Sequence, residues 1–361
     1  MTNASDLAAD SVRAFSVDLE RFSANLIARI IALLLGLETE LMFALRRHDL
    51  GEVTLTSAKK KRMEALLEQG RQTVSTAYVK ARNTVHSDLR EVASLSSVNA
   101  TKGINQAVQV EIATTGLAPE RLRALVDGTL IEGAPSKQWW KDQAATTLRL
   151  FVDQVQKGYA SGEGVDEISR RIVGTKANEY NDGVMSVSRR NAIALIRSSV
   201  QAVSNSARTE TFENNDDIIE NLQQISTLDS RTTLVCKARS GLQWDLTTKQ
   251  PVGHLIPWNG GVPQHWQCRS VMVAVLKPLR SLSDRKKKAV QNSGTQASMD
   301  GQVPVDMDYQ DWLRTKPESF QREVLGPGRW ELWKEGKLTL PQMLDMRGNP
   351  LSLDQLRKKY S

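Results

Sequence analysis

A chain of 361 residues that is 40% hydrophobic and 5% aromatic holds enough apolar material for one large or two to three modest domains, and favours helix over sheet. The net charge of +7 suits a negatively charged partner such as nucleic acid without requiring one. Two cysteines, Cys236 and Cys268, argue against a disulfide-stapled secreted domain, and the polar, acidic start from Met1 to Asp18 is unlike a signal peptide.

In chain order, Leu19, Phe22, Leu26, Ile30, Leu33, Leu34, Leu37 and Leu41 recur at spacings of three and four, which predicts an amphipathic helix capped by Ser16 or Asp18 and broken near Gly51. Its most apolar run, Leu26 to Leu37, is too short for a bilayer and contains Arg29, so a buried or partner-facing helix is expected and no membrane partner. A second helix is predicted from Ser57 to Leu95. Together the two form a hairpin, read either as an arm for other subunits or as an ordinary helical subdomain.

Glycines and prolines from Gly116 to Pro135 mark turns, and Trp139–Trp140 opens a helix reaching Tyr159. A glycine corner at Gly158 to Gly164 precedes a short helix, Val165 to Val173. A longer one spans Asn191 to Phe212, with Ala194, Ile196, Val200 and Val203 as core candidates. After Asn215 the character changes, and strands are predicted at Leu222 to Leu228 and Val271 to Leu276. Leu279 to Pro304 reads as a basic, polar linker. The end of the chain regains apolar spacing and closes in a helix from Ser352 to Tyr360 with Ser352 as cap. The expected fold is mainly α with a small α+β domain. It divides into a helical arm (1–100), a helical plus small-sheet domain (101–278), the linker (279–305) and a short C-terminal domain (306–361).

The densest chemistry lies between Asp229 and Ser270. Asp229 and Arg231 sit close enough to pair or to cap a turn. His265 and Cys268 have HxxC spacing, which lets one loop present an imidazole and a thiolate to a metal ion, with Cys236 as a third ligand. A closed structural zinc site needs a fourth, for which His254 and Asp229 are the candidates. The alternatives are two buried thiols with His265 supporting its loop, or a Cys236–Cys268 disulfide. No GxxxxGK[ST], HExxH, GxSxG or placed GxGxxG motif occurs, so no enzyme class is indicated.

The order Asp-x-Arg-Thr, Cys, Gly-x-x-Trp, Pro, Pro-x-His-x-x-Cys-Arg-Ser resembles the central domain of the phage Mu protein F-like minor head protein family. Asp229, Arg231, Thr232, Cys236, His265, Cys268 and Arg269 carry the likeness. Thr233 stands where the family often has the first cysteine of a pair, and Ser270 replaces its last cysteine. The segments Gly128 to Trp140, the Gly162 corner and Ala194 to Asn205 are similar to the family's helical lead-in, with Arg197 and Asn205 at positions where the family tends to have Arg and Asn. Asp308 to Leu340 is similar to a tail segment of such proteins. The resemblance covers roughly residues 128–361.

It implies a structural protein of the virion, at the portal vertex or head interior, made in the host cytoplasm. The implied partners are the portal protein and the major capsid or scaffold proteins. No cofactor is expected unless the Cys–His group holds structural zinc. Two other functions stay open: a non-specific DNA-binding protein of the head interior, and an enzyme or toxin-like protein carrying this domain. Arg285, Lys286, Lys287 and Lys288 are the candidate DNA contacts, because a cationic run adds salt-sensitive, sequence-independent affinity. Trp312, Trp330 and Trp333 interleave with cations, a pattern read here as a protein interface rather than a base-stacking surface.

Overall fold

The computed structural model describes residues 4–48, 57–108, 113, 116–277, 295–304 and 307–360. The architecture is mainly helical with a small antiparallel sheet, as the composition and periodicity require. Helices α1 (Ala4–Arg47) and α2 (Ser57–Val108) come first. They are followed by α3 (Pro119–Gly128), a two-residue hairpin of β1 (Leu130–Ile131) and β2 (Ala134–Pro135), α4 (Ser136–Ser161), α5 (Val165–Val173) and α6 (Val184–Glu213). The mixed region holds β3 (Ile219–Ile225), α7 (Leu234–Arg239), β4 (Gln243–Asp245), β5 (Pro251–Val252) and β6 (Val271–Leu276). A hairpin of β7 (Thr295–Ser298) and β8 (Gly301–Pro304) precedes four short helices. These are α8 (Tyr309–Arg314), α9 (Glu318–Leu325), α10 (Pro327–Lys334) and α11 (Leu353–Tyr360).

Several predicted boundaries move. Helix α1 starts at Ala4, so Ser16 lies inside it and returns its hydroxyl to the Val12 carbonyl at 2.9 Å instead of capping. Helix α2 runs beyond Leu95 because Ala100, Ile104 and Val108 continue its apolar stripe into a core. Strand β3 ends at Ile225, three residues before the predicted Leu228, which is buried and bridges to Ser298. The predicted linker ends in the β7–β8 hairpin, while its basic run lies outside the described residues. The C-terminal cap is as expected: Ser352 Oγ accepts from Gln355 N at 3.3 Å and Gln355 Oε1 from Ser352 N at 2.8 Å, a reciprocal capping box.

Two compact units emerge, and both are discontinuous in sequence, whereas the sequence-based division is continuous. One comprises Glu20–Glu91 and Val126–Val200 and is helical apart from the β1–β2 hairpin. Leu26, Ile30, Leu34, Leu37 and Leu41 are buried there, so this face of α1 serves the unit's own core and not a free arm. No helix among the described residues is long and apolar enough to cross a membrane. Tyr78 stacks near Trp140 with ring centroids 6.2 Å apart, and its hydroxyl joins a buried chain through Thr147 (2.7 Å) to Ser188 (2.8 Å). Tyr78, Thr147 and Ser188 thus satisfy one another within the core.

The other unit comprises Met1–Leu19, Val92–Leu125 and Gln201–Ser361. Its sheet has the order β5-β4-β3-β6, all antiparallel, with Leu222 opposite both Trp244 and Ala274. Leu222, Trp244, Met272 and Ala274 enter the main core with Phe212, Trp312 and Leu340. On the opposite face, Ile225, Val271 and Val273 pack against Ala9 and Val12 of α1. A sheet covered on both faces explains why β6 reads Val-Met-Val-Ala-Val-Leu without polar alternation.

Two glycine substitutions test the helical unit. A Cβ at Gly183 would overlap the backbone of Val173 and Gly174, so Gly183→Ala is expected to cost about 2–3 kcal/mol by overpacking. Gly36, in the exposed middle of α1, has no atom within 4 Å of its Cβ position, so Gly36→Ala is expected to stabilise by about 0.5–1 kcal/mol. Urea unfolding of the two variants beside wild type checks both signs.

Candidate functional site

The site is built by the β3–β6 ladder. These strands pair antiparallel down to Ile225 opposite Val271, so the chain leaving β3 and the chain entering β6 emerge side by side. The pairing continues through side chains: Ser226 Oγ lies 3.0 Å from Ser270 Oγ, and Thr227 Oγ1 donates to the Arg269 carbonyl at 3.4 Å. The first exit loop delivers Asp229 and then α7 with Cys236; the second delivers His265, Cys268 and Arg269.

Asp229 organises its loop. Its Oδ1 accepts from the backbone N–H groups of Arg231 and Thr232, both at 3.1 Å, closing an Asx turn. Arg269 grips the same carboxylate with two parallel bonds, Nη1 to Oδ2 at 2.6 Å and Nη2 to Oδ1 at 2.7 Å. As expected, Asp229 caps the turn through Arg231 N, and the expected pairing with the Arg231 side chain is present but weak beside the Arg269 fork. The Arg231 side chain is 79% exposed and reaches Oδ2 only at 3.6 Å, a contact of little energetic weight. Thr232 donates to the Thr227 carbonyl at 2.6 Å. Burial pushes the Asp229 carboxyl up, but the hydrogen bonds and charge of Arg269, with help from Thr232, bring it below its ordinary value overall.

Around Cys236 a second cluster forms. His265 to Cys268 make a turn, with Cys268 N bonding the His265 carbonyl at 3.1 Å and Gln267 in the left-handed region at φ 58°. The HxxC spacing thus becomes two side chains directed at one point. Cys236 Sγ lies 3.6 Å from Cys268 Sγ and 3.3 Å from His265 Nε2, and all three candidate ligand atoms lie within 4.8 Å of one another. Both thiols are buried and free of any disulfide. The hydrogen bond between the two sulfurs pulls the Cys268 thiol down and raises that of Cys236. His265 Nδ1 donates to the Trp266 carbonyl at 2.9 Å, which leaves the Nε2 lone pair facing the sulfurs.

Neither proposed fourth ligand belongs to this cluster. Both ring nitrogens of His254 are engaged, Nε2 with the Gln243 carbonyl at 2.7 Å and Nδ1 with Ile256 N at 3.1 Å, and burial lowers its pKa. Asp229 is committed to Arg269 and its own loop. Thr233, one of the two departures from the family pattern, is in the cluster instead. It is the N-cap residue of α7, yet its hydroxyl makes no cap bond and sits 3.0 Å from His265 Nε2. Ser270, the other departure, meets Cys236 through Ser226, whose hydroxyl donates to the Cys236 carbonyl at 2.7 Å. Beside the cluster lies a cavity of about 20 Å³, lined by Thr233, Cys236, His265 and Ser270 among others.

Of the remaining predicted residues, Asn205 braces β6: its Oδ1 accepts from Met272 N at 3.1 Å and from Arg208 Nη1 at 3.0 Å. Arg197, two turns before Asn205 on α6, is exposed. Arg285, Lys286, Lys287 and Lys288 lie outside the described residues. Trp312 and Trp333 are buried in the unit's own core, where Lys316 and Arg314 lie over their rings at 5.0 and 5.3 Å. They are core anchors rather than the predicted interface.

Sequence reasoning missed the cations of α7. Arg239 is fully buried; it donates to Gln224 Oε1 (3.2 Å) and to the carbonyls of Pro257 (2.9 Å) and Trp258 (2.8 Å), and stacks 4.6 Å from the Trp244 ring centre. Burial brings its guanidinium down to about 10. Lys237 donates to the Val324 carbonyl of α9 at 3.1 Å and is lowered to about 8 by burial. No local pattern flags either residue, because a charged side chain in a six-residue helix ordinarily reads as solvated.

Compared with known proteins, the chain matches no family model, no curated protein and no solved structure.

Replacing Asp229 by Ala removes the Arg269 fork and the turn acceptor together, and is expected to cost about 2–3 kcal/mol. The native carboxyl is held below 3.8, so its contribution is present above the unfolded-state value and disappears as pH falls through the folded one. Denaturation measured from pH 7 to pH 3 should therefore show the gap between wild type and Asp229→Asn closing only at the acid end. A gap that is constant with pH would contradict the ion pair.

Proposed function

We propose that this chain is a minor head (head-morphogenesis) protein of a tailed phage, placed in the virion at the portal vertex or inner head surface. It acts structurally in head assembly and in genome packaging or ejection. Its partners in this reading are the portal protein, the major capsid or scaffold proteins and, non-specifically, the packaged DNA.

The observation that carries the reading is where the resembling blocks meet. The motif between Asp229 and Ser270 and the tail segment from Asp308 onward share one core. Tyr309 donates to the Asp229 carbonyl at 2.8 Å, Lys237 to the Val324 carbonyl at 3.1 Å, and Asn259 to the Arg347 carbonyl at 2.7 Å. Asp229, Arg269, Lys237 and Arg239 are spent on bonds within their own chain. Such an arrangement suits a rigid structural module better than a reaction centre, where a general acid or base must reach a substrate. The reading therefore assigns no enzymatic activity.

Mass spectrometry of purified virions and of DNA-free proheads, scaled to the portal protein, tests this. The expected result is a low, fixed number of copies per portal in both particles. Absence from both would overturn the structural role. In that case, tight duplex-DNA binding by the isolated chain with a steep salt dependence would favour the DNA-binding alternative.

A further inference from the structure

We propose that Cys236, Cys268 and His265 bind one Zn²⁺ ion, with the fourth corner of the tetrahedron at the Thr233 hydroxyl, filled by a water held there. This does not depend on the head-protein reading.

The argument starts from distances. Zinc–sulfur bonds of about 2.3 Å and zinc–nitrogen bonds of about 2.0–2.1 Å in tetrahedral geometry place two sulfurs about 3.8 Å apart, and a sulfur and a nitrogen about 3.6 Å apart. The observed separations are 3.6 Å for Cys236 Sγ to Cys268 Sγ and 3.3 Å for Cys236 Sγ to His265 Nε2. These two pairs need to open by only a few tenths of an ångström to admit the ion, and the third, Cys268 Sγ to His265 Nε2, lies within 4.8 Å. Such a spread is within the play of two loops joined at one end of a sheet.

The chemistry of the donors agrees. A metal-binding imidazole usually donates its other ring N–H to a carbonyl or carboxylate, which fixes tautomer and ring orientation. His265 does so through Nδ1 to the Trp266 carbonyl. Two thiolates and one imidazole are a borderline-soft set that favours zinc over calcium or magnesium. On binding, each cysteine releases its thiol proton to solvent, so that two thiolates balance the ion's two charges.

The fourth corner is marked by two observations. Thr233 occupies the N-cap position of α7 without capping it, and turns its hydroxyl to the Nε2 that would carry the metal. The adjoining cavity of about 20 Å³ is roughly the space one water needs, and it has the polar lining a water requires. It is too small for an organic substrate, so the site has the ligand count of an open centre but the access of a structural one. The ion would tie the exit loop of β3 to the entry loop of β6.

The test uses the untagged full chain, purified from zinc-supplemented medium and measured by inductively coupled plasma mass spectrometry with circular dichroism alongside. About one zinc per chain is expected, with a loss of ~10-fold or more in zinc affinity for Cys268→Ser or His265→Ala. Cobalt substitution should give a thiolate-to-metal charge-transfer band that weakens in Cys268→Ser. Should those variants fail to fold, Thr233→Cys keeps the proposal exposed: a third thiolate at the fourth corner should tighten zinc binding by ~10-fold or more against a competing chelator. A folded wild-type chain that takes up no zinc overturns the site, and so does zinc held at wild-type affinity by a folded Cys268→Ser. Zinc in Thr233→Cys but not in the native chain overturns it equally. Unchanged affinity in Thr233→Cys removes the fourth-corner assignment.

Discussion

The antiparallel pairing of β3 with β6 is the constraint on which the rest of this unit depends. Fixing Ile225 opposite Val271 places the chain after one strand beside the chain before the other. Residues forty positions apart in sequence, Asp229 and Arg269, then meet in a two-bond fork. The same placement sets Cys236 beside Cys268 and His265. The ladder is itself secured from both faces, by Trp244 and Met272 in the main core and by Ala9 and Val12 against Val271 and Val273. A one-residue slip of β6 would exchange its two faces, turning Met272 and Ala274 away from the main core.

Around that ladder the unit buries positive charge in an unusual way. Arg208 and Arg239 are fully buried, and among the described residues neither makes an ion pair with a carboxylate. Their guanidinium groups are held by side-chain amides, a serine, backbone carbonyls and, for Arg239, the face of Trp244. Burying a charge without a counter-ion is costly, and both groups are depressed to about 10 for that reason. In return they tie elements together: Arg239 joins α7, β3 and the loop at Pro257–Trp258, and Arg208 reaches β6 through Asn205. Removing Arg239 would take the donor from the Gln224 amide oxygen and the Pro257 carbonyl, which makes it part of the frame rather than of a ligand site.

The terminal helices complete this frame. Tyr309 and Trp312 stack edge to face at 5.1 Å, and Tyr309 reaches back to the Asp229 loop. The C-terminal segment is therefore continuous with the motif's core, although a basic, polar stretch separates the two in sequence. A split at that stretch looks natural on composition, since few residues there can be buried, yet composition carries no information on where the chain returns.

What was legible in the residues alone is what local physics controls. Apolar residues at spacings of three and four specified the long helices, a β-branched run specified β6, and the Ser352–Gln355 pair specified a cap. The HxxC spacing specified a turn that aims His265 and Cys268 together, because each of these depends on neighbours a few residues away. Contacts between distant segments set which arginine grips Asp229, that Arg197 is exposed while Arg208 is buried, and that Thr233 rather than His254 lies beside the Cys–His cluster. The tertiary structure also makes both compact units discontinuous. These outcomes are fixed by contacts between distant segments, where the loop-closure cost is overcome only by a core and ladder that no single stretch of sequence contains.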